Sequence, residues 1–149
     1  TARNILDPAR VLELQDQASN VFVHNLVAEY VVRLVLATRT PTDFGMPDLA
    51  SVIQIGASSR ATLGLVAAAR ALALIHGRDY VLPTDVQAVA KDVMAHRLVL
   101  GFDAVADNIS PVQVVERSVA MVPAPTPVWN QQQRQAAHDQ HSYTPEYNK

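Results

Sequence analysis

The sequence predicts an all-α protein, a small helical bundle with a long loop before its central helix and a disordered C-terminal tail. Three observations predict this class. Apolar residues recur at spacings of three and four along several segments. Pro8, Pro83 and Pro111 each stand at the first position of such a segment, where the missing amide costs a helix nothing. One stretch, Ala61 to Ile75, is apolar around most of a helical circumference and belongs at the centre of a bundle.

Asp7 before Pro8 reads as a helix N-cap, and a short helix to about Ala18 puts Val11, Leu14 or Gln15, and Ala18 on one face. Val21 and Phe22 then pack under a connection. From Asn25 to Thr38, Leu26, Val27, Tyr30, Val31, Leu34 and Val35 form an apolar stripe, with Glu29 and Arg33 spaced to pair at i, i+4. Thr40 to Pro47 is rich in chain breakers and reads as a loop, after which Asp48 caps a short turn. Val52 to Ile55 is compatible with either a helix or a strand.

Gly56-Ala57-Ser58-Ser59-Arg60 opens the central helix, which runs to His76 with Gly77 just beyond its end and Ser58 as the hydroxyl cap. Arg70 within it must snorkel or pair with an acid. Tyr80 to Leu82 is briefly extended, with Arg78-Asp79-Tyr80 as a turn anchor. In the next helix Val86, Val89, Ala90, Val93, Met94 and Arg97 keep the three-and-four spacing, and Leu98 to Leu100 is a short apolar extension before Gly101. Ser110-Pro111 starts a last helix with a stripe of Val112, Val115, Val119 and Val122, and Pro123, Pro125 and Pro127 end it. The predicted domain is therefore 1–122, and 123–149 is a Pro/Gln-rich flexible tail.

The chain has 149 residues, 49% of them hydrophobic, enough for one domain with a buried core. A formal net charge of −2 gives no electrostatic footprint for nucleic acid or an anionic membrane, and a helix-turn-helix DNA reader is disfavoured on that ground. Cysteine is absent, which excludes disulfides and thiolate metal sites. No signal peptide is visible at Thr1, so the cytoplasm is the expected compartment, and the start without Met leads us to expect a segment of a longer protein.

A phosphate-binding loop of the Gly-x-x-x-x-Gly-Lys-Ser/Thr type is missing, and no apolar strand ends in paired acids for Mg²⁺. Gly56-Ala57-Ser58 begins like a nucleophile elbow, but Arg60 stands where that motif needs Gly. His24, His76 and His96 lie near helix ends, where they can meet terminal carbonyls, and His138 and His141 make at best an adventitious metal pair. Arg60 has two local readings. It bridges to an acid such as Asp48 or Asp79, or it joins the first-turn amides in binding an anion.

The string Gly56-Ala57-Ser58-Ser59-Arg60-Ala61, with Ala68-Ala69-Arg70-Ala71-Leu72-Ala73 behind it, is similar to the sensor-2 segment of MoxR-family AAA+ ATPases. Gly77-Arg78-Asp79-Tyr80-Val81, Pro83, Asp85-Val86 and His96-Arg97-Leu98 follow in that family's order. Tyr30 to Val35 with Ala37-Thr38-Arg39 also resembles the family's lid, and Phe44-Gly45-Met46 resembles the longer loop of its actinobacterial type. The resemblance covers about Asp7 to Val122 and departs at Ser59, where Pro is usual, and at Leu82, where a capping Thr is common.

The resemblance implies an AAA+ lid without hydrolytic machinery of its own, attached to an N-terminal AAA+ α/β domain that binds ATP with Mg. Arg60, with Ser58 and Ser59 beside it, would face the nucleotide, and Arg60 would reach the γ-phosphate as sensor 2. It further implies a ring of neighbouring subunits, a chaperone-like role and a von Willebrand factor A-domain partner. The alternative of a different class is a stand-alone helical protein-protein interaction adaptor, suggested by the high Ala, Val and Leu content.

Overall fold

The computed structural model describes residues 6–126. The His138 and His141 pair and most of the expected tail lie outside them. The order is α1 (Pro8–Ser19), α2 (Asn25–Ala37), a 3-10 turn (Pro41–Phe44), α3 (Leu49–Val52), β1 (Ile53–Ile55), α4 (Ser59–Ile75) and α5 (Pro83–Met94). A second 3-10 turn (Ala95–Arg97), β2 (Val99–Leu100), α6 (Phe102–Ala106) and α7 (Pro111–Met121) complete it.

Helix starts follow from local chemistry. Asp7 Oδ1 accepts from the Arg10 amide at 2.7 Å, ahead of Pro8. Ser110 and Gln113 form a reciprocal capping box, with bonds of 3.3 and 2.7 Å, that starts α7. His24 is a cap, though at a helix start and not at terminal carbonyls: its Nδ1 accepts from the Leu26 amide at 3.2 Å at the N-terminus of α2. His96 does meet a carbonyl, with Nδ1 3.0 Å from the Asp92 oxygen.

The core is a single cluster centred on α4, which packs against α1, α2 and α5. Its buried side chains are Ala61, Leu65, Ala69 and Ala73, spaced by four. Alanine there lets neighbouring helices approach closely, while Leu65 fills the gap between them; its removal to Ala would cost about 2–5 kcal/mol. The cover is incomplete, because Leu63 and Ile75 are 72% and 77% exposed. Arg70 makes no ion pair among the described residues, and its Nε is buried without a hydrogen-bond partner.

The loop after α2 is packed rather than loose. Met46 and Leu49 are fully buried, and the short turn α3 ends at Val52 before the chain extends. That resolves the ambiguity at Val52 to Ile55: β1 pairs antiparallel with β2, Ile53 opposite Leu100 and Ile55 opposite Val99. The apolar extension after α5 thus supplies the second strand of the pair. The expected extended stretch at Tyr80 pairs with Phe22, through Phe22 N to Asp79 O at 2.8 Å and Val81 N to Phe22 O at 2.9 Å.

Other expectations need correction. The buried face of α7 is Val114, Val115 and Ser118, leaving Val112 41% exposed, because the Ser118 hydroxyl bonds the Val114 carbonyl at 2.9 Å and can be buried. Leu26 is exposed at the first turn of α2, and Glu29 and Arg33 form no ion pair among the described residues. Nor does the Asp48 side chain cap α3; it is drawn across to Arg117 on α7, with bonds of 2.5 and 3.0 Å.

The far end of α4 is pinned by charge. Gly77, at φ 69°, turns the chain out of the helix and lets the Arg78 amide reach the Ala73 carbonyl at 2.9 Å. Arg78 then holds Asp85 with two bonds of 2.7 and 2.6 Å and also donates to the Tyr80 carbonyl at 3.1 Å. Leu82 has no side-chain acceptor to cap α5, but Asp85 reaches back to the Leu82 amide at 2.7 Å. Burial pushes the Asp85 carboxyl up, yet the bonds from Arg78 and the Leu82 amide outweigh it and hold the group below the usual carboxylate range.

Asp85→Ala should therefore destabilise the domain by about 3 kcal/mol, leaving Arg78 without its partner. Because the folded carboxyl titrates below its unfolded value, the contribution is complete at neutral pH and is lost as pH falls through the depressed folded value. Denaturant unfolding at neutral pH and in the acid range checks both, and Asp85→Asn should lack the acid-dependent part.

Candidate functional site

The opposite end of α4 is built differently. Thr38, at the end of α2, is fully buried; its hydroxyl donates to the Val35 carbonyl at 2.7 Å and accepts from the Ala57 amide at 3.0 Å. Both hydroxyl functions are used, and the approach to α4 is thereby tied to the exit of α2. Gly56 makes that approach possible, since a Cβ there would lie 2.4 Å from the Thr38 carbonyl oxygen and 2.9 Å from Arg39 Cγ. Arg39 adds a long contact, Nη1 to the Ala57 carbonyl at 3.5 Å.

This clasp sets Ser58, Ser59 and Arg60 together on the exposed first turn of α4. Ser58 occupies the N-cap position with extended backbone, but its hydroxyl makes no cap bond, contrary to expectation. The reason is local: the amide of Ala61, which a cap hydroxyl would serve, already donates to the Ser58 carbonyl at 2.8 Å. No acid lies in the first turn.

Arg60 forms no ion pair or hydrogen bond among the described residues. Asp48, one acid proposed for it, is held by Arg117, whose hydrogen bond keeps the Asp48 carboxyl below the ordinary range. Asp79, the other, lies beyond the far end of the helix, ~20 Å along its axis. Among the described residues the bridging reading of Arg60 has no acid to complete it. A guanidinium at this end of a helix also meets the positive pole of the macrodipole, so the fold gains nothing from its charge. An anion would satisfy both.

Sequence reasoning missed Thr38 and Gly56 as the residues that position this turn. The available signal was a hydroxyl in the last turn of an apolar helix together with a Gly just before a cap, which only a long-range contact could link. A shallow depression lined by Gln17, Asn20, Val21, Leu74, Gly77, Arg78 and Asp79 lies at the other end of α4 and is separate from Arg60. No helix among the described residues is long and apolar enough to cross a membrane.

Residues 48–118 match the family model described as the AAA lid domain. The chain is 52% identical over 124 residues to Chaperone MoxR1 of Mycobacterium tuberculosis, covering 83% of this chain and 33% of that protein. It is 38% identical over 102 residues to Protein MoxR of Paracoccus denitrificans, covering 64% of this chain and 30% of that one. A crystal structure from Cytophaga hutchinsonii, provisionally described as an ATPase, superposes with a TM-score of 0.79 at 36% identity, over 83% of this chain and 38% of its own. The fold and these matches define a class, the helical lids of AAA+ proteins. Within that class the chain belongs to the MoxR family. It spans about a third of the length of the curated relatives it matches.

Thr38→Val should leave the Ala57 amide buried without an acceptor and cost about 1–3 kcal/mol, whereas Thr38→Ser should retain most of the stability. Chemical denaturation of the two variants checks the clasp.

Proposed function

We propose that this chain is the nucleotide-sensing lid of a MoxR-type AAA+ ATPase with a chaperone-like role, in which Arg60 contacts the γ-phosphate of ATP. The observation that carries the reading is Arg60 itself: exposed, without an acid partner among the described residues, on a first turn that has no acid and no side-chain cap. The similarity to MoxR proteins supports it, and so does the name Chaperone MoxR1 carried by the mycobacterial relative.

In this reading an N-terminal AAA+ α/β domain binds ATP with Mg and supplies the phosphate loop and Mg²⁺ ligands that this chain lacks. Ser58, Ser59 and Arg60 line the nucleotide from the lid side. Donors at Arg60 favour the state that carries a γ-phosphate, because a charge-assisted bond to that group is absent with ADP. The angle of the lid then differs between the two nucleotide states, and neighbouring subunits of a ring read that difference.

A second reading, the helical interaction adaptor, draws on the 84% and 76% exposure of Phe102 and Val105 on α6. One experiment separates the two. In the full-length protein, Arg60→Ala should lower ATP turnover at least roughly ten-fold, as loss of a charge-assisted phosphate contact does, while ADP affinity stays within about two-fold. Unchanged turnover would overturn the sensing reading, and absence of any ATP hydrolysis by the full-length wild type would favour the adaptor.

A further inference from the structure

A second arginine stands beside the first two turns of α4 with no acid among the described residues to balance it. Arg97 ends the 3-10 turn after α5, and its Nε donates to the Val93 carbonyl at 2.9 Å. That bond fixes the guanidinium while using one of its five donors. Nη2 lies 3.9 Å from the point where a Cβ on Gly64 would sit. Gly64 follows Arg60 by four residues, so the two positions share one face of α4, with Cβ sites about 5–6 Å apart.

The absent side chain at Gly64 has a structural reason. A Cβ there would meet Val93 Cγ1 at 3.0 Å, so glycine lets the end of α5 lie against α4 and brings Arg97 alongside the Arg60 ridge. Nothing among the described residues neutralises either cation: Asp48 is held by Arg117, Asp85 by Arg78, and Glu116 lies 3.6 Å from Lys91. Two guanidiniums on adjoining positions repel each other weakly in water and more strongly when a partner covers them. The arrangement suits a ligand with several anionic oxygens.

We propose that Arg97 is a second phosphate contact, acting with Arg60 on the triphosphate of ATP. The proposal rests on the nucleotide-sensing reading and adds to it a residue from a different element. Arg60 belongs to α4 and Arg97 to the 3-10 turn that follows α5, so a triphosphate held by both also ties these two elements together. ADP, one phosphate shorter, engages the pair less completely, and the lid discriminates between the nucleotides through two contacts.

The test is steady-state hydrolysis and ADP competition in the full-length ATPase for wild type, Arg60→Ala, Arg97→Ala, Arg97→Lys and the charge control Arg33→Ala. Arg97→Ala should raise KM for ATP roughly ten-fold, the size of one lost charge-assisted contact, with a smaller change for ADP. Arg97→Lys should recover most of the loss, and Arg33→Ala should change neither. A folded Arg97→Ala with unchanged KM, or with equal losses for ATP and ADP, overturns the proposal.

If Arg97→Ala does not fold, the wild-type chain answers instead. Arginine side-chain Nε–H resonances are followed while inorganic tripolyphosphate is added; Arg60 and Arg97 shifting together supports the proposal, and Arg60 shifting alone overturns it. Loss of turnover in Arg60→Ala with a silent Arg97→Ala sinks this inference alone. An inert Arg60→Ala sinks the sensing reading beneath it.

Discussion

The domain depends on how closely its other helices can approach α4. Ala61, Leu65, Ala69 and Ala73 make a narrow buried ridge along that helix, and Gly64 removes even the methyl group where Val93 of α5 packs against it. Small residues there exchange side-chain burial for backbone proximity, and dispersion contacts between well-packed neighbours offset the smaller area buried. A larger residue at 64 or 69 would push α5 or its neighbours outward and shift everything mounted on their ends. The loop at Thr38, the turn at Arg97 and the salt bridge at Arg78 are all mounted there.

The two ends of α4 are fastened by different chemistry, and the difference suits their roles. At the C-terminal end a bidentate ion pair and a backbone cap do the fastening, so the charge there is spent inside the fold. At the N-terminal end a neutral hydroxyl does the fastening through backbone groups, and the cations are left over. Stability is thus supplied without consuming the charges that face outward. A salt bridge at Arg60 would have fixed the helix equally well but would have neutralised the guanidinium that an anion needs.

Much of the fold was legible because its signals are local. Pro8, Pro83 and Pro111 mark helix starts through their own backbone chemistry, and Gly77 marks an end through its φ of 69°. What failed was what depends on distant partners. Asp48 reads as a cap until Arg117, on the last helix, draws its carboxylate away. Val52 to Ile55 has no decisive period because its pairing partner, Val99 to Leu100, lies beyond two helices. The stripe of α7 holds at Val115, Val119 and Val122, which lie in or against the core, but it fails at exposed Val112 and omits Ser118, whose hydroxyl can be buried by bonding one turn back. Helix α6 had no signal, as five residues with Phe102 and Val105 exposed carry no apolar period.

The candidate site shows the same division in sharper form. Arg60 was legible by type and position, while the choice between an ion pair and a ligand contact required knowing where every nearby acid goes. Its setting was hidden because Thr38 meets Gly56 and Ala57 only across the whole intervening loop, through one amide and one close approach. The departure at Ser59 also becomes intelligible on these contacts. A Pro at that position would pre-set the first helical dihedral, but the Ala57 amide bonded to Thr38 and the Ala61 amide bonded to the Ser58 carbonyl already constrain the turn from both sides. With the backbone held by tertiary contacts, the intrinsic preference of residue 59 carries less weight, and Arg60 keeps its place without it.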